Sequence, residues 1–301
     1  MPRTSKVSGL TEAVSQIKDG DTVIVCGFNL QNKPMALVRE VIRQKKKDLW
    51  LVTAGPSSVD ADQLIGAGCV RKVSSVSISA ERFGPIGPCF RRAVQQESIE
   101  IWECEQGIVT AALRGAIQGV PFIPTVAGLG ADFIKVNPDL KIIEDPFGSG
   151  RPVVAVKAIQ PDVALIHTAV ADEYGNARFE GGMFFDELAV RAAKKVIVSA
   201  ENVVPTEVIM HEPRLIRLFS HMTVAVVEIP YGSHPTGSHG CYSFDEEACG
   251  EYIKAARSGP EGFEGYVAKY INGAPTQMEY LNLIGIEKLL SLRTKVKVGD
   301  V

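Results

Sequence analysis

The chain of 301 residues has no apolar run near the roughly 20 residues that a membrane-spanning helix needs, which argues against an integral membrane protein. It has no excess of positive charge either. A formal net charge of -3 and a pI near 6.0 leave no global basic footprint for nucleic acid. Metal-ligand spacing is also missing. The cysteines, Cys26, Cys69, Cys89, Cys104, Cys241 and Cys249, form no Cys-x-x-Cys pair and no zinc pattern with the histidines, so no metal site is expected. They read instead as reduced, mostly buried thiols. The segment from Met1 to Lys6 lacks the apolar stretch of a signal peptide, and the expected location is the cytoplasm. Internal repeats and disordered linkers are absent too.

What is present suits an ordinary globular protein with a substantial core: 46% apolar and 22% charged residues. One basic run, Lys45-Lys46-Lys47, closes a predicted helix, where cations complement the helix dipole; attraction of a phosphate is the rival reading. Leu10, Ala13, Val14 and Ile17 recur at helical spacing, and Asp19-Gly20-Asp21 stops that helix. Thr22 to Val25 then forms a short continuous apolar run, the kind buried on both faces of a parallel sheet. The pattern continues with a helix from Met35 to Gln44 and a strand from Leu49 to Thr53 ended by Ala54-Gly55-Pro56. Further strands are predicted at Val73 to Ile78, Ile99 to Cys104, Val153 to Val156, Val163 to His167, Lys195 to Ser199 and Met222 to Ile229. Helices fall between them, at Val109 to Gln118 and Asp186 to Lys194 among others. This order predicts an α/β fold with an open, mostly parallel sheet flanked by helices. The chain reads as a single domain over 1–301, with a mainly helical segment wrapping the body at about 245–292.

In such sheets ligands bind at the carboxyl ends of the strands. The first of these loops reads Cys26-Gly27-Phe28-Asn29-Leu30-Gln31-Asn32-Lys33-Pro34. Gly27 permits an unusual turn and close approach of a ligand, and the helix near Pro34 can aim its positive end at an anion. By itself this is also a plain strand-to-helix turn.

The whole segment resembles the signature of family I CoA-transferases: Asp-Gly (Asp19, Gly20), an apolar strand (Val23 to Val25), Gly-Phe (Gly27, Phe28) and a proline at Pro34. Cys26 stands where the family has the first Gly of Gly-Gly-Phe, and Asn32 where it has the Gly of Gly-x-Pro. The Asn32-Lys33-Pro34 form is similar to the glutaconate CoA-transferase A-subunit branch. Cys26 reads as a small buried residue rather than a nucleophile, since reactivity needs an electropositive, accessible setting. Further segments resemble that A subunit in order, including Leu64 to Val70, Gly119 to Pro124, Asp145-Pro146-Phe147, Pro161 to His167 and Pro230 to Pro235.

The resemblance implies covalent catalysis by a glutamate that passes CoA from an acyl-CoA to a free acid, dicarboxylic acids included. In two-chain members that glutamate lies on the B subunit, within Ser-Glu-Asn-Gly. Ser199-Ala200-Glu201-Asn202 has a different residue order, so the nucleophile is expected on a partner B subunit, in a heterodimer or α2β2 assembly. The substrates implied are an acyl-CoA and a carboxylic acid, with no tightly bound cofactor, no nucleic acid and no membrane. Gly27, Phe28, Asn29, Gln31 and Lys33 become the expected acyl-CoA contacts, with Gly27 and Phe28 ringing the thioester oxygen. Gly128 and Gly130 of Ala127 to Asp132, and Gly182 of Glu180 to Phe184, are expected near the acyl pocket.

Glu105 and Gln106 are the expected catalytic pieces of this chain. Gln106-Gly107 resembles the Gln-Gly of acetate-type A subunits, with Gln106 holding substrate or the partner's glutamate. Related ring-cleaving hydrolases of steroid breakdown use an A-subunit glutamate that aligns with Gln106, one residue from Glu105. Strand alternation would put Glu103 and Glu105 on one face; a helix-start acid is the plain alternative for Glu105. The rival functions are hydrolysis with C–C cleavage, decarboxylation, and non-catalytic binding of a metabolite. His234 and His239, in the polar stretch Ser233 to Tyr242, read as part of a cleft rim or interface. His167 reads as a satisfied buried histidine.

Overall fold

A computed structural model describes residues 4–53, 55–179 and 181–294. Ala54 and Glu180, in two of the loops singled out above, and Met1 to Arg3 lie outside the described residues. The strands are β1 (Thr22–Val25), β2 (Leu49–Thr53), β3 (Val70–Ser74), β4 (Glu100–Ile101), β5 (Phe122–Thr125), β6 (Leu140–Glu144), β7 (Pro152–Lys157), β8 (Val163–Ala171), β9 (Ala177–Arg178), β10 (Lys195–Val203), β11 (Ile216–Leu218) and β12 (Thr223–Glu228). The helices are α1 (Leu10–Ser15), α2 (Met35–Arg43), α3 (Val59–Gly66), α4 (Pro88–Gln95), α5 (Gln106–Gln118), α6 (Phe133–Val136), α7 (Asp186–Ala192), α8 (Thr206–Met210), α9 (Glu246–Arg257), α10 (Pro260–Val267), α11 (Gln277–Ile284) and α12 (Ile286–Leu292).

Seven strands pair in parallel in the order β4-β3-β2-β1-β8-β10-β12, as the sequence pattern implies. The short antiparallel strands β9 and β11 extend the carboxyl end of β8. Alternation along β1 shows why the strand runs are continuously apolar. Val23 and Val25 enter one core with α2, α3 and α9 residues, while Ile24 and Cys26 enter the other with α5 and α7 residues. The second face also carries a separate antiparallel sheet, β5-β7-β6.

Three expectations shift. The third strand is Val70–Ser74 rather than Val73 to Ile78, and the serine-rich stretch after it is a loop whose Ile78 pairs with Ser57. The fourth strand is only Glu100–Ile101, so strand alternation does not govern Glu103 and Glu105. Val153 to Val156 forms a strand, but an antiparallel one in the small sheet. The C-terminal segment is helical as expected, with α9 to α12 between Glu246 and Leu292.

Strand order reverses at β1. From β1 the chain winds outward through β2, β3 and β4, whereas β8, β10 and β12 lie on its other side. The carboxyl ends of β1 and β8 therefore form a topological switch point, where loops diverge and leave a crevice.

Candidate active site

The loop after β1 stands at that switch point, and its shape is set by glycine and by buried charge. Gly27 adopts φ 90°, and a Cβ there would lie 2.6 Å from Asn32 O, so only glycine fits. Phe28 and Gln31 exchange backbone hydrogen bonds of 3.0 and 2.9 Å, closing a tight turn. Asn29 donates its amide to Pro56 O in the loop after β2. Asn32 donates to Gly237 O at 2.7 Å, and its side-chain oxygen accepts from the His239 amide at 2.9 Å, so the Ser233 to Tyr242 stretch braces the loop.

Lys33 departs from its expected role. Its side chain is fully buried, and Nζ donates to Gly27 O at 2.9 Å and Ser57 Oγ at 3.2 Å while facing Asp60 Oδ2 at 3.2 Å. Asp60 in turn accepts from Ser57 Oγ and the Ser58 amide. The ammonium ties the loops after β1 and β2 together. The Gly27 and Phe28 amides are likewise committed, Gly27 to Asp186 Oδ1 at 2.8 Å and Phe28 to Gln31 O, so in this arrangement neither is free to ring an oxygen.

Asp186, at the start of α7, was not anticipated from the sequence. It is buried, and burial raises its carboxyl while the Gly27 amide and Lys33 hold it back. Beside it, burial and then the Asp186 charge push the Cys26 thiol well up, with Lys33 pulling the other way. Cys26 is thus a protonated packing residue rather than a nucleophile. The open side of the loop is a 160 Å³ pocket lined by Phe28, Gln31, Gly182, Phe184, Asp186 and His239, together with Asn32. Phe184 stacks on Phe28 with ring centroids 3.8 Å apart and is itself 58% exposed, which makes an apolar shelf at the pocket mouth.

The other expected pieces lie elsewhere on the same end of the sheet. Glu105 is the N-cap of α5, its two oxygens accepting from Gly107 N and Ile108 N at 2.8 Å each. That is the plain helix-start role. Gln106 follows, and its buried Oε1 has no hydrogen-bond partner among the described residues. Gly107 packs against Ala127, and Gly128 packs against Phe133 and Ile108, so the glycine loop flanks the start of α5. Gly130 has φ 85° with open space around it. This group follows β4, three strands from β1, about 14 Å away at the usual strand spacing. The loop around Gly27 and the Glu105–Gln106 pair are therefore two separate parts of one rim.

A third cluster surrounds Glu201. His167 is fully buried, with Nδ1 facing Ser199 Oγ at 2.9 Å and Nε2 facing Glu201 Oε1 at 2.8 Å. Tyr242 O–H donates to the same oxygen at 2.7 Å, and the Tyr231 amide to Oε2 at 2.6 Å. Glu201 lines a 460 Å³ pocket with Tyr231, Tyr242 and Arg293, but both its oxygens are engaged. His234 is also satisfied, by Tyr280 O–H and Asp245. No helix among the described residues is long and apolar enough to cross a membrane.

Residues 7–224 match the sequence model of the family described as Coenzyme A transferase. An uncharacterized protein of Archaeoglobus fulgidus is 38% identical over 97% of this chain, which spans 65% of that longer relative. The cholesterol ring-cleaving hydrolase IpdA subunit of Rhodococcus jostii is 33% identical over 90% of this chain and 93% of its own. The A subunit of glutaconate CoA-transferase from Acidaminococcus fermentans is 30% identical over 98% of this chain and 97% of its own. The crystal structure of that glutaconate enzyme superposes with a TM-score of 0.91 at 29% identity, covering 96% of each chain.

Proposed function

The chain belongs to the Coenzyme A transferase family, and from that premise we propose that it is the A subunit of a heteromeric CoA-transferase of the glutaconate type. It moves CoA between an acyl-CoA and a free carboxylic acid, and a glutamate of a partner B subunit carries the CoA in between. One observation supports this most strongly: the half-site at the switch point offers no uncommitted nucleophile among the described residues. Cys26 is buried and protonated, Lys33 and Asp186 are consumed in holding the loop, and Glu201 is buried under three contacts. Such a site shapes and orients; the attacking group comes from outside.

Within this reading Phe28, Gln31 and Gly182 contact the acyl-CoA around the 160 Å³ pocket, and the Phe28–Phe184 shelf shields the thioester from water. Asn29 and Gly27 contribute by holding the loop's form. Gln106, whose buried Oε1 lacks a partner among the described residues, turns outward to hold substrate or partner, and the glycine loop at Gly128 and Gly130 lies next to it. With Cys26, Cys69, Cys89 and Cys249 as buried thiols, the protein suits a reducing compartment such as the cytoplasm. The test is exchange of CoA between an acyl-CoA and a labelled carboxylic acid. It should be absent with this chain alone and restored by a B chain bearing Ser-Glu-Asn-Gly. Exchange by the single chain would overturn the placement of the nucleophile.

A second reading, hydrolysis of a CoA thioester with ring cleavage, is favoured by the likeness to the IpdA hydrolase chain and by Glu105 beside Gln106. The Glu105→Ser variant keeps a helix cap while removing the acid. Full turnover by that variant, in complex with its partner, would remove this reading.

A further inference from the structure

Away from the strand ends, a pocket of 480 Å³ opens on the flank of the sheet between α4 and the C-terminal end of α9. Three arginines line it, Arg91, Arg92 and Arg257, beside Pro85, Ile86 and Pro88. No carboxylate is among its lining residues. Arg92 donates to Ala256 O at 2.6 Å and to Cys89 Sγ at 3.3 Å, which fixes it across the two helices. The guanidinium groups of Arg91 and Arg257 make no ion pair or hydrogen bond among the described residues. Arg43, Arg71, Arg82 and Arg178, by contrast, each lie against a carboxylate. The negative end of α9 accounts for one cation in its last turn but not for three in one pocket.

We propose that this pocket binds a phosphorylated nucleotide. Like charges gathered without a counter-charge repel one another, and a multiply charged anion turns that repulsion into attraction. Guanidinium forks match phosphate oxygens in pairs, and Arg91 and Arg257 have their full set of donors to give. The prolines and Ile86 provide an apolar surface for a flat heterocycle, and the volume falls in the range of about 300 to 1,000 Å³ typical of small-molecule sites. Neither feature alone selects a nucleotide; their adjacency does. The site lies on α4 and α9, outside the crevice at β1, and its occupancy is independent of which reaction occurs there.

Calorimetric titration of the 301-residue chain with ADP, adenosine, inorganic phosphate and CoA tests the proposal without turnover, so failure of the transferase reading leaves the result interpretable. ADP should bind, with adenosine and phosphate each at least tenfold weaker. The exposed double variant Arg91→Ala/Arg257→Ala should lose at least tenfold in ADP affinity. Arg82→Ala, whose guanidinium already faces Glu246, should leave that affinity unchanged. Equal binding of CoA, weakened alike by the Arg91→Ala/Arg257→Ala variant, would identify the nucleotide end of CoA as the source, and preference for ADP would identify a free nucleotide; either supports the site. The proposal falls if no nucleotide binds, if the double variant binds as before, if phosphate alone binds as tightly as ADP, or if Arg82→Ala weakens binding as much as the double variant.

Discussion

The loop after β1 and the start of α5 lie on the same rim of the sheet but are built in opposite ways. Around Gly27 the Lys33 ammonium and the Asp60 and Asp186 carboxylates are buried and engaged with the backbone of one or other loop. Around Gln106 a buried oxygen lacks a partner among the described residues, and the neighbouring glycine loop exposes Val126 and Leu129 at 71% and 36%. The first region is rigid because leaving any of its charges unpaired would be costly. The second carries unmet polar and apolar surface, as a surface that completes its contacts with another molecule would. One region is a finished mould, and the other is an edge waiting for its complement.

Breaking the mould should therefore have the largest effect. Lys33→Met strands Asp60 as a buried unpaired carboxylate and should destabilise the fold by about 3–5 kcal/mol, read by denaturant unfolding. A loss under about 1 kcal/mol would mean the pair is far more hydrated than its burial implies. Asp186 gives a graded test. Asp186→Leu leaves the Gly27 amide unpaired and should lose about 1–3 kcal/mol, whereas Asp186→Asn keeps an acceptor and should lose clearly less. Equal losses would show that the hydrogen bond does not set the loop. The smallest effect belongs to the open edge. Glu105→Ala removes a helix cap and should lose about 0.5–2 kcal/mol in thermal or denaturant unfolding, with Glu105→Ser close to the parent.

These contrasts also show what was legible in the sequence. Continuous apolar runs revealed β1, β2 and β8, because strands buried on both faces need them. Strand β3 was harder to place, since Arg71 and Lys72 break its run; both pair with Glu100 of edge strand β4. Strand β5 was hidden by Pro124, which is tolerated because β5 lies at an edge of the small sheet. The Gly27 loop was readable because its glycine is a local requirement. Asp186 was not, being 159 residues from the amide it holds, and no periodicity links them. The burial of Lys33 was hidden for a related reason: only the fold places Asp60 against it.

Under the proposed function this chain shapes the site and another supplies the attacking carboxylate. Mass spectrometry of the assembled enzyme after incubation with acyl-CoA, chain by chain, tests it most directly. The expected result is a CoA adduct on a glutamate of the partner chain and none on this one. An adduct on Glu105, Glu201 or any other residue of this chain would contradict it.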